Sequence, residues 1–392
     1  TCQSSRNNWF MRKMSNRGNF MILVNTKFDA GSIVVHDISN PQNLRFGIRN
    51  DTNSHFAQWF YFQVSNVRGQ ELNLSLEGLD KTAYPDGWDG YNVCASYDNQ
   101  NWFRIDSSFA DNTLSWSLTP ECNSIYFAYF EPYSYARHLE LIGFANECDN
   151  VQHQIIGQTA EGRNLDLLVI GNPDAERKVW ITARQHPGES MAEWFMEGLI
   201  YRLCDEQDAV STRLLKNHVF YLVPNMNPDG AYHGNLRTNT TGTNLNREWL
   251  TPTLEKSPEV YYTRNKMLET GVDIFFDIHG DEALPYVFTS GCEDNPSFST
   301  KQNALQQQFE ELFPLINPDY QTKVGYPKGH FSSESATVGT KWVGNQFDCL
   351  AYTLEMPFKD NANLPNDLYG WNGERSSLLG ASLLTMLNLL KL

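Results

Sequence analysis

The chain has 392 residues, 41% hydrophobic and 13% aromatic, with 10 Trp, 18 Tyr and 23 Phe; that length and apolar content predict two packed domains and exclude a disordered chain. A formal net charge of −16 excludes generic nucleic-acid binding, which needs a basic surface to displace phosphate counterions. The cysteines (Cys2, Cys94, Cys122, Cys148, Cys204, Cys292, Cys349) are odd in number and form no C-x-x-C pair, so a reducing compartment, the cytoplasm, is expected.

Residues 1–20 are polar and patternless, and Met21 makes a natural start, so the leader is set aside from the fold. Arg12, Lys13 and Arg17 precede only the short apolar run Phe20–Val24, well below the about 7–15 apolar residues of a signal sequence, which argues against secretion. From about residue 30 to 130 come the short runs "SIVVHDI", "LRFGIRN", "QWFYFQVSN", "ELNLSLEG", "TLSWSLT" and "SIYFAYF", separated by turn residues. This pattern predicts an all-β sandwich domain over residues 21–130. Phe60, Phe62 and Val64 share one face by the period of two, and their side chains are read as core.

Past about residue 150 strands alternate with helical segments: "LDLLVIG", "KVWITA", "MAEWFMEGLIYRL", "HVFYLVP", "VDIFFDIHG", "YVFTSG", "LAYTLEMPF". That order predicts an α/β domain over residues 131–392, a mixed, mostly parallel sheet with helices on both faces. "EPYSYARHLELIGFANECDN" contains no glycine- or serine-rich linker, so the two domains are expected to pack firmly. The longest apolar stretch, "SLLGASLLTMLNLL", is broken by serines, Gly380, Thr385 and Asn388. It falls short of the roughly 20 apolar residues of a membrane span; it predicts a buried C-terminal helix and no membrane partner.

"TARQHPGES", Thr182 to Ser190, follows one strand and precedes a helix, which places it at a strand's carboxyl end, where open α/β sheets bind ligands. His186 and Glu189 can point the same way at a helix start and are ordinary zinc-ligand types; equally, they fit a polar loop histidine and a first-turn carboxylate favoured by the helix dipole. Farther on, "VDIFFDIHG" runs from a buried strand into Asp277 and His279, and His279 is the preferred third ligand. His218, His233 and His330 are rivals. His218 opens a strand and belongs at the sheet's opposite end; the other two sit in loops. Two histidines and a glutamate leave one coordination position open, the pattern of a hydrolytic site. Glu355 is an acid near the end of an apolar strand, which points to a functional base over a solvent-exposed strand end. Arg237 and Arg247 lie in an asparagine-rich loop segment. Each can bind a carboxylate through its fork or pair with a surface acid of so acidic a chain.

Taken together, "HPGE", "NPDG", "GNLR", "NLNREW", "DIHG" and "YTLEMPF" resemble, in this order, the zinc metallocarboxypeptidases typified by carboxypeptidase A. Within them the chain looks most like the cytosolic carboxypeptidase branch, whose amino-terminal β-sandwich carries segments similar to "WFYFQVSN" and "PYSYARH". The likeness covers nearly the whole chain after Met21. It implies one Zn2+ per chain held by His186, Glu189 and His279, Glu355 as the base that activates water, and Arg237 stabilising the oxyanion. Asn246 and Arg247 match the pair that anchors the terminal carboxylate of a peptide or protein tail. Pro187 and Gly188 are expected to let the strand turn sharply enough to aim both ligands at one ion.

Three positions depart from the family pattern. Asn244 stands where an aspartate usually orients a zinc-binding histidine. The tyrosine that carboxypeptidase A brings over its substrate has no clear counterpart, Tyr326 in "GYPKGH" being the one candidate. Thr340 occupies a substrate-binding position where deglutamylating members commonly carry arginine. A preference for carboxyl-terminal glutamate or aspartate is therefore expected to depend on Lys341 beside it, with Lys328 as the other available cation. Two further readings compete: an aspartoacylase-like deacylase of N-acyl amino acids, and a non-catalytic binding protein with a degenerate peptidase domain.

Overall fold

The computed structural model describes residues 21–327, 329 and 331–391. The polar leader, Lys328 and His330 fall outside the described residues. The first unit begins with β1 (Leu23–Asn25), β2 (Val34–Asp37), β3 (Leu44–Gly47), β4 (Tyr61–Ser65) and β5 (Leu72–Leu76). It continues with β6 (Val93–Ser96), β7 (Phe103–Ile105), β8 (Ser107–Ala110), β9 (Thr113–Leu118) and β10 (Ser124–Ala128). These strands form two five-stranded sheets, β1-β4-β10-β6-β7 and β2-β3-β5-β9-β8, antiparallel except where β3 meets β5.

Alternation along the strands creates the sandwich. On β5, Leu72, Leu74 and Leu76 are buried while Asn73 and Ser75 between them are partly exposed, as a period of two requires. Phe46 packs against Phe62 with ring centroids 4.8 Å apart, Phe62 against Phe127 at 5.5 Å, and Trp116 edge-on against Phe127 at 5.6 Å. These rings join the two sheets. Phe60 and Val64 are buried with Phe62 as expected, but so is Tyr61 on the opposite face, packed against Phe28 and Trp102.

The second unit holds α1 (Tyr135–Asn146), β11 (Val151–Gln158), β12 (Asn164–Ile170), β13 (Arg177–Ala183), α2 (Met191–Leu203), α3 (Ala209–Leu214) and β14 (His218–Val223). After them come α4 (Pro228–His233), α5 (Pro258–Thr270), β15 (Ile274–Asp281), β16 (Phe288–Ser290), α6 (Thr300–Ile316), α7 (Gly339–Phe347), β17 (Leu350–Pro357) and α8 (Gly373–Leu389). Its sheet runs β11-β12-β14-β13-β15-β17-β16. The four central strands are parallel, and antiparallel neighbours close both edges. The parallel strands are buried along almost their whole length, because α2, α6 and α8 pack on one face and α5 and α7 on the other. Helices α2 and α8 touch backbone to backbone: a Cβ on Gly198 would lie 2.0 Å from the Ser377 carbonyl oxygen, and one on Gly380 2.0 Å from that of Phe195.

One hydrophobic core runs through both units. At their junction Tyr129 stacks on Phe358 with centroids 4.6 Å apart. Arg104 of β7, itself buried, donates to the carbonyls of Phe358 at 2.7 Å and Trp371 at 3.0 Å. Among the described residues no helix is long and apolar enough to cross a membrane.

Candidate active site

Strands β13, β15 and β17 deliver the site residues at their carboxyl ends. After Ala183 the chain leaves the strand at Arg184, whose φ of 59° lies in the left-handed region that a non-glycine residue occupies only when its surroundings hold it there. Buried contacts hold it. Its guanidinium donates to the Pro187 carbonyl at 2.9 Å, the Tyr133 carbonyl at 2.8 Å and Glu193 at 2.7 Å. Arg184 thus opens the loop, and Pro187 and Gly188 form the turn between the two ligand residues, closed by the Glu189 N–H donating to the His186 carbonyl at 3.1 Å. Gly188 is also needed for close approach. A Cβ there would sit 2.9 Å from the Leu236 Cα, and its N–H donates to the Leu236 carbonyl at 2.8 Å.

His186, Glu189 and His279 converge, all buried, with their candidate ligand atoms within 4.8 Å of one another. Glu189 bridges the pair: Oε1 is 2.8 Å from His186 Nδ1 and Oε2 is 2.8 Å from His279 Nδ1. The far ring nitrogens are also partnered. His186 Nε2 meets Asn244 Oδ1 at 3.1 Å, and His279 Nε2 meets Asp277 Oδ2 at 2.7 Å. Asp277 is itself fixed by the Thr182 hydroxyl at 2.8 Å. Each imidazole thus presents Nδ1 to the common centre with its orientation set from behind. Burial would raise the Glu189 carboxyl, but the two histidines hold it well below the usual range. Burial lowers His186 to about 4. His279 is pushed well above its ordinary value despite burial, because Asp277 and Glu189 flank it; a cation bound there displaces a proton. Two imidazole nitrogens and one ionised carboxylate at this separation fit Zn2+.

Glu355 pairs in register with His279 across the β15–β17 ladder. It is buried, with Oε2 lacking any hydrogen-bond partner among the described residues, and burial raises its carboxyl to about 8. The Tyr326 hydroxyl lies 3.0 Å from Glu355 Oε1 and 2.8 Å from Asp281 Oδ2. Arg237, Asn246 and Arg247 line the same cleft of about 310 Å³. Asn246 Oδ1 accepts the Gly339 N–H at 2.9 Å, while its amide nitrogen has no acceptor among the described residues. Arg247 spends one nitrogen on the Asn246 carbonyl at 2.8 Å and one on exposed Glu334 at 3.1 Å.

Other expectations change. Thr340 is 1% exposed and absent from the cleft wall; its hydroxyl bonds Thr353, which does line the cleft, at 2.7 Å. Lys341 reaches the wall, but its ammonium donates to the Gly291 carbonyl and pairs with Asp294. His218 bonds the Leu214 carbonyl and Asn217, and His233 bonds Glu161, so neither joins the cluster. Sequence reading missed Tyr84 and Glu282, both on the cleft wall. Glu282, raised well above its ordinary range by burial and by Glu189 and Asp281, stands two residues past the quoted "DIHG". Tyr84 comes from the sandwich, and no local signal ties it to the site.

A His-x-x-Glu turn and a distant histidine at the ends of parallel strands, with a buried glutamate and two arginines in one cleft, define a metal-dependent hydrolase of the α/β class. Residues 140–371 match the zinc carboxypeptidase family and residues 24–130 the cytosolic carboxypeptidase N-terminal domain. The chain belongs to the zinc carboxypeptidase family, and it is a peptidase. A metallo-carboxypeptidase from Burkholderia cenocepacia is 47% identical, with a TM-score of 0.92 over 94% of this chain and 98% of that one. A metallo-carboxypeptidase from Pseudomonas aeruginosa, solved in complex with (2-guanidinoethylmercapto)succinic acid, is 44% identical, with a TM-score of 0.91 over 93% of this chain and 98% of that one. An uncharacterised Zymomonas mobilis protein is 40% identical over 364 residues, 93% of this chain and 95% of its own length.

Proposed function

We propose that the chain is a cytoplasmic, Zn2+-dependent carboxypeptidase that removes the last residue of a peptide or protein tail. One observation carries this reading: a single cleft contains the buried donor trio, a carboxylate oxygen on Glu355 unpartnered among the described residues, and the Asn246–Arg247 donors. Arg247 and Asn246 would hold the terminal carboxylate by charge-assisted hydrogen bonds. Arg237 would donate to the scissile carbonyl oxygen as negative charge develops there. Glu355 would take a proton from the attacking water and return it to the leaving amine. His186, Glu189 and His279 would hold Zn2+, which when bound would supply Lewis-acid chemistry. Asn244 and Asp277 keep the two imidazoles aimed.

Acidic side chains remain the preference that the cytosolic branch suggests, with Lys341 as the wall cation left to meet them once Arg237 and Arg247 are given their roles on the backbone groups. Asp294 competes for that charge, and the Pseudomonas relative was solved with a succinate that carries a guanidinium. Those two facts favour a second reading, in which a basic side chain is accepted. Peptides differing only in a terminal Glu, Leu or Arg discriminate the readings. Amidated peptides test the proposal itself: free-acid substrates should be cleaved and their amides should be nearly inert, and equal rates on both would remove the exopeptidase assignment.

A further inference from the structure

Arg237 sits on the second unit, but the groups that hold it come from the first. Asp51, in the loop between β3 and β4, is 5% exposed, and its carboxylate accepts three successive backbone N–H groups: Leu236 at 2.6 Å, Arg237 at 2.7 Å and Thr238 at 3.0 Å. The Thr238 hydroxyl adds a fourth contact at 3.2 Å. Neighbouring residues extend the clasp. The Thr52 N–H and hydroxyl meet Asn235 Oδ1 at 3.0 and 3.1 Å, and the Asn53 amide donates to the Thr240 carbonyl at 2.9 Å.

The guanidinium of Arg237 is likewise bracketed by sandwich residues. Its carbon lies 5.6 Å from the Phe56 ring centroid and 5.5 Å from that of Tyr84. Among the described residues it makes no side-chain hydrogen bond, so these rings and its own backbone set where it points. Leu236, next in the chain, accepts the Gly188 N–H of the metal-binding turn. One carboxylate from the sandwich therefore fixes the segment that both carries Arg237 and buttresses the turn. A buried carboxylate that accepts three amides is a rigid anchor, because freeing any of those N–H groups would leave it unpaired away from water.

We infer that the β-sandwich supplies part of the catalytic apparatus: Asp51 is the positioning residue for Arg237, with Phe56 and Tyr84 clamping the guanidinium over the cleft. This rests on the carboxypeptidase reading, in which Arg237 polarises the scissile carbonyl. The bland alternative is an inter-domain staple that contributes only stability.

The experiment uses the full chain with Asp51→Asn, Arg237→Ala and the double variant, assayed on a free-acid peptide with zinc content measured for each. Asp51→Asn should lower kcat about 10–100-fold, a fraction of the roughly 100–1,000-fold of a deleted oxyanion donor, with KM within about twofold and zinc retained. In the Arg237→Ala background it should cost almost nothing further. Phe56→Leu and Tyr84→Leu should reproduce the kcat-selective loss, and they replace Asp51→Asn as the deciding variants should that one fail to fold. A slow Arg237→Ala enzyme beside full-speed Asp51→Asn, or full-speed ring variants, would overturn this inference alone. If Arg237→Ala turns over at the parent rate, the assignment of Arg237 falls and this inference with it.

Discussion

At the scale of single residues, the site is a set of side chains whose second atoms are already committed. Glu355 Oε1 is engaged by Tyr326 while Oε2, buried, has no partner among the described residues, so removing its charge should disable proton transfer and leave the ligand trio intact. Glu355→Gln is expected to keep one zinc per chain and lose turnover by about three orders of magnitude or more, whereas His186→Ala loses metal and activity together; elemental analysis beside a peptide assay checks both. Asn244 gives a finer test. Its side-chain oxygen accepts from His186 Nε2 at 3.1 Å but brings no charge. Asn244→Asp should tighten zinc, and Asn244→Ala should loosen it by about 10–100-fold, measured by competition with a chelator of known affinity.

At the scale of elements, the turn that presents His186 and Glu189 is backed by a buried polar chain. Arg184 donates to Glu193 of α2; Glu193 lies 2.6 Å from His138 Nδ1 of α1; and His138 Nε2 lies 3.0 Å from Asp166 of β12, which also contacts His153 at 2.7 Å. Burial alone would lower the His138 pKa, but Glu193 and Asp166 outweigh it and raise it to about 9. The folded value exceeds the ordinary 6.5, so the stabilisation is complete below that pH and is lost as pH rises toward 9. A shift of this size corresponds to about 3 kcal/mol. Urea unfolding should show stability falling between pH 7 and 9, and His138→Gln should remove most of that slope. A parent protein equally stable at both pH values would exclude a charged His138 in the folded state.

At the scale of the whole molecule, the two units are expected to unfold as one. Arg104 shows why: beyond its bonds to Phe358 and Trp371 it donates to the carbonyls of Asn92 at 2.8 Å and Tyr369 at 3.3 Å. It pairs with no carboxylate among the described residues. Its removal would strand buried carbonyls on both sides of the junction. Arg104→Ala should cost about 3 kcal/mol, and calorimetry of the parent should give a single transition. Two well-separated transitions in the parent protein would show that the shared core does not couple the units.

The sequence by itself determined the order of the two units and the parallel strands, while its local pattern left the donor set open and the family resemblance pointed to His186, Glu189 and His279. Both of the first two are written in local pattern: alternation on β5 and the buried apolar runs that precede "HPGE" and "DIHG". Edge strand β11, Val151–Gln158, escaped because it is half exposed and carries no apolar rhythm. Helix α6 escaped although its capping box, Ser299 with Gln302, was legible. Tertiary structure alone decided the rest. Thr340 left the cleft wall because a one-residue difference on helix α7 turns its side chain toward Thr353 and the core. Lys341 met Asp294 because loop and helix were brought together. Above all, Asp51, Phe56 and Tyr84 reach Arg237 from far away in the chain. Contacts of that kind depend on how two separately patterned units dock, and periodicity, which is local, does not encode docking.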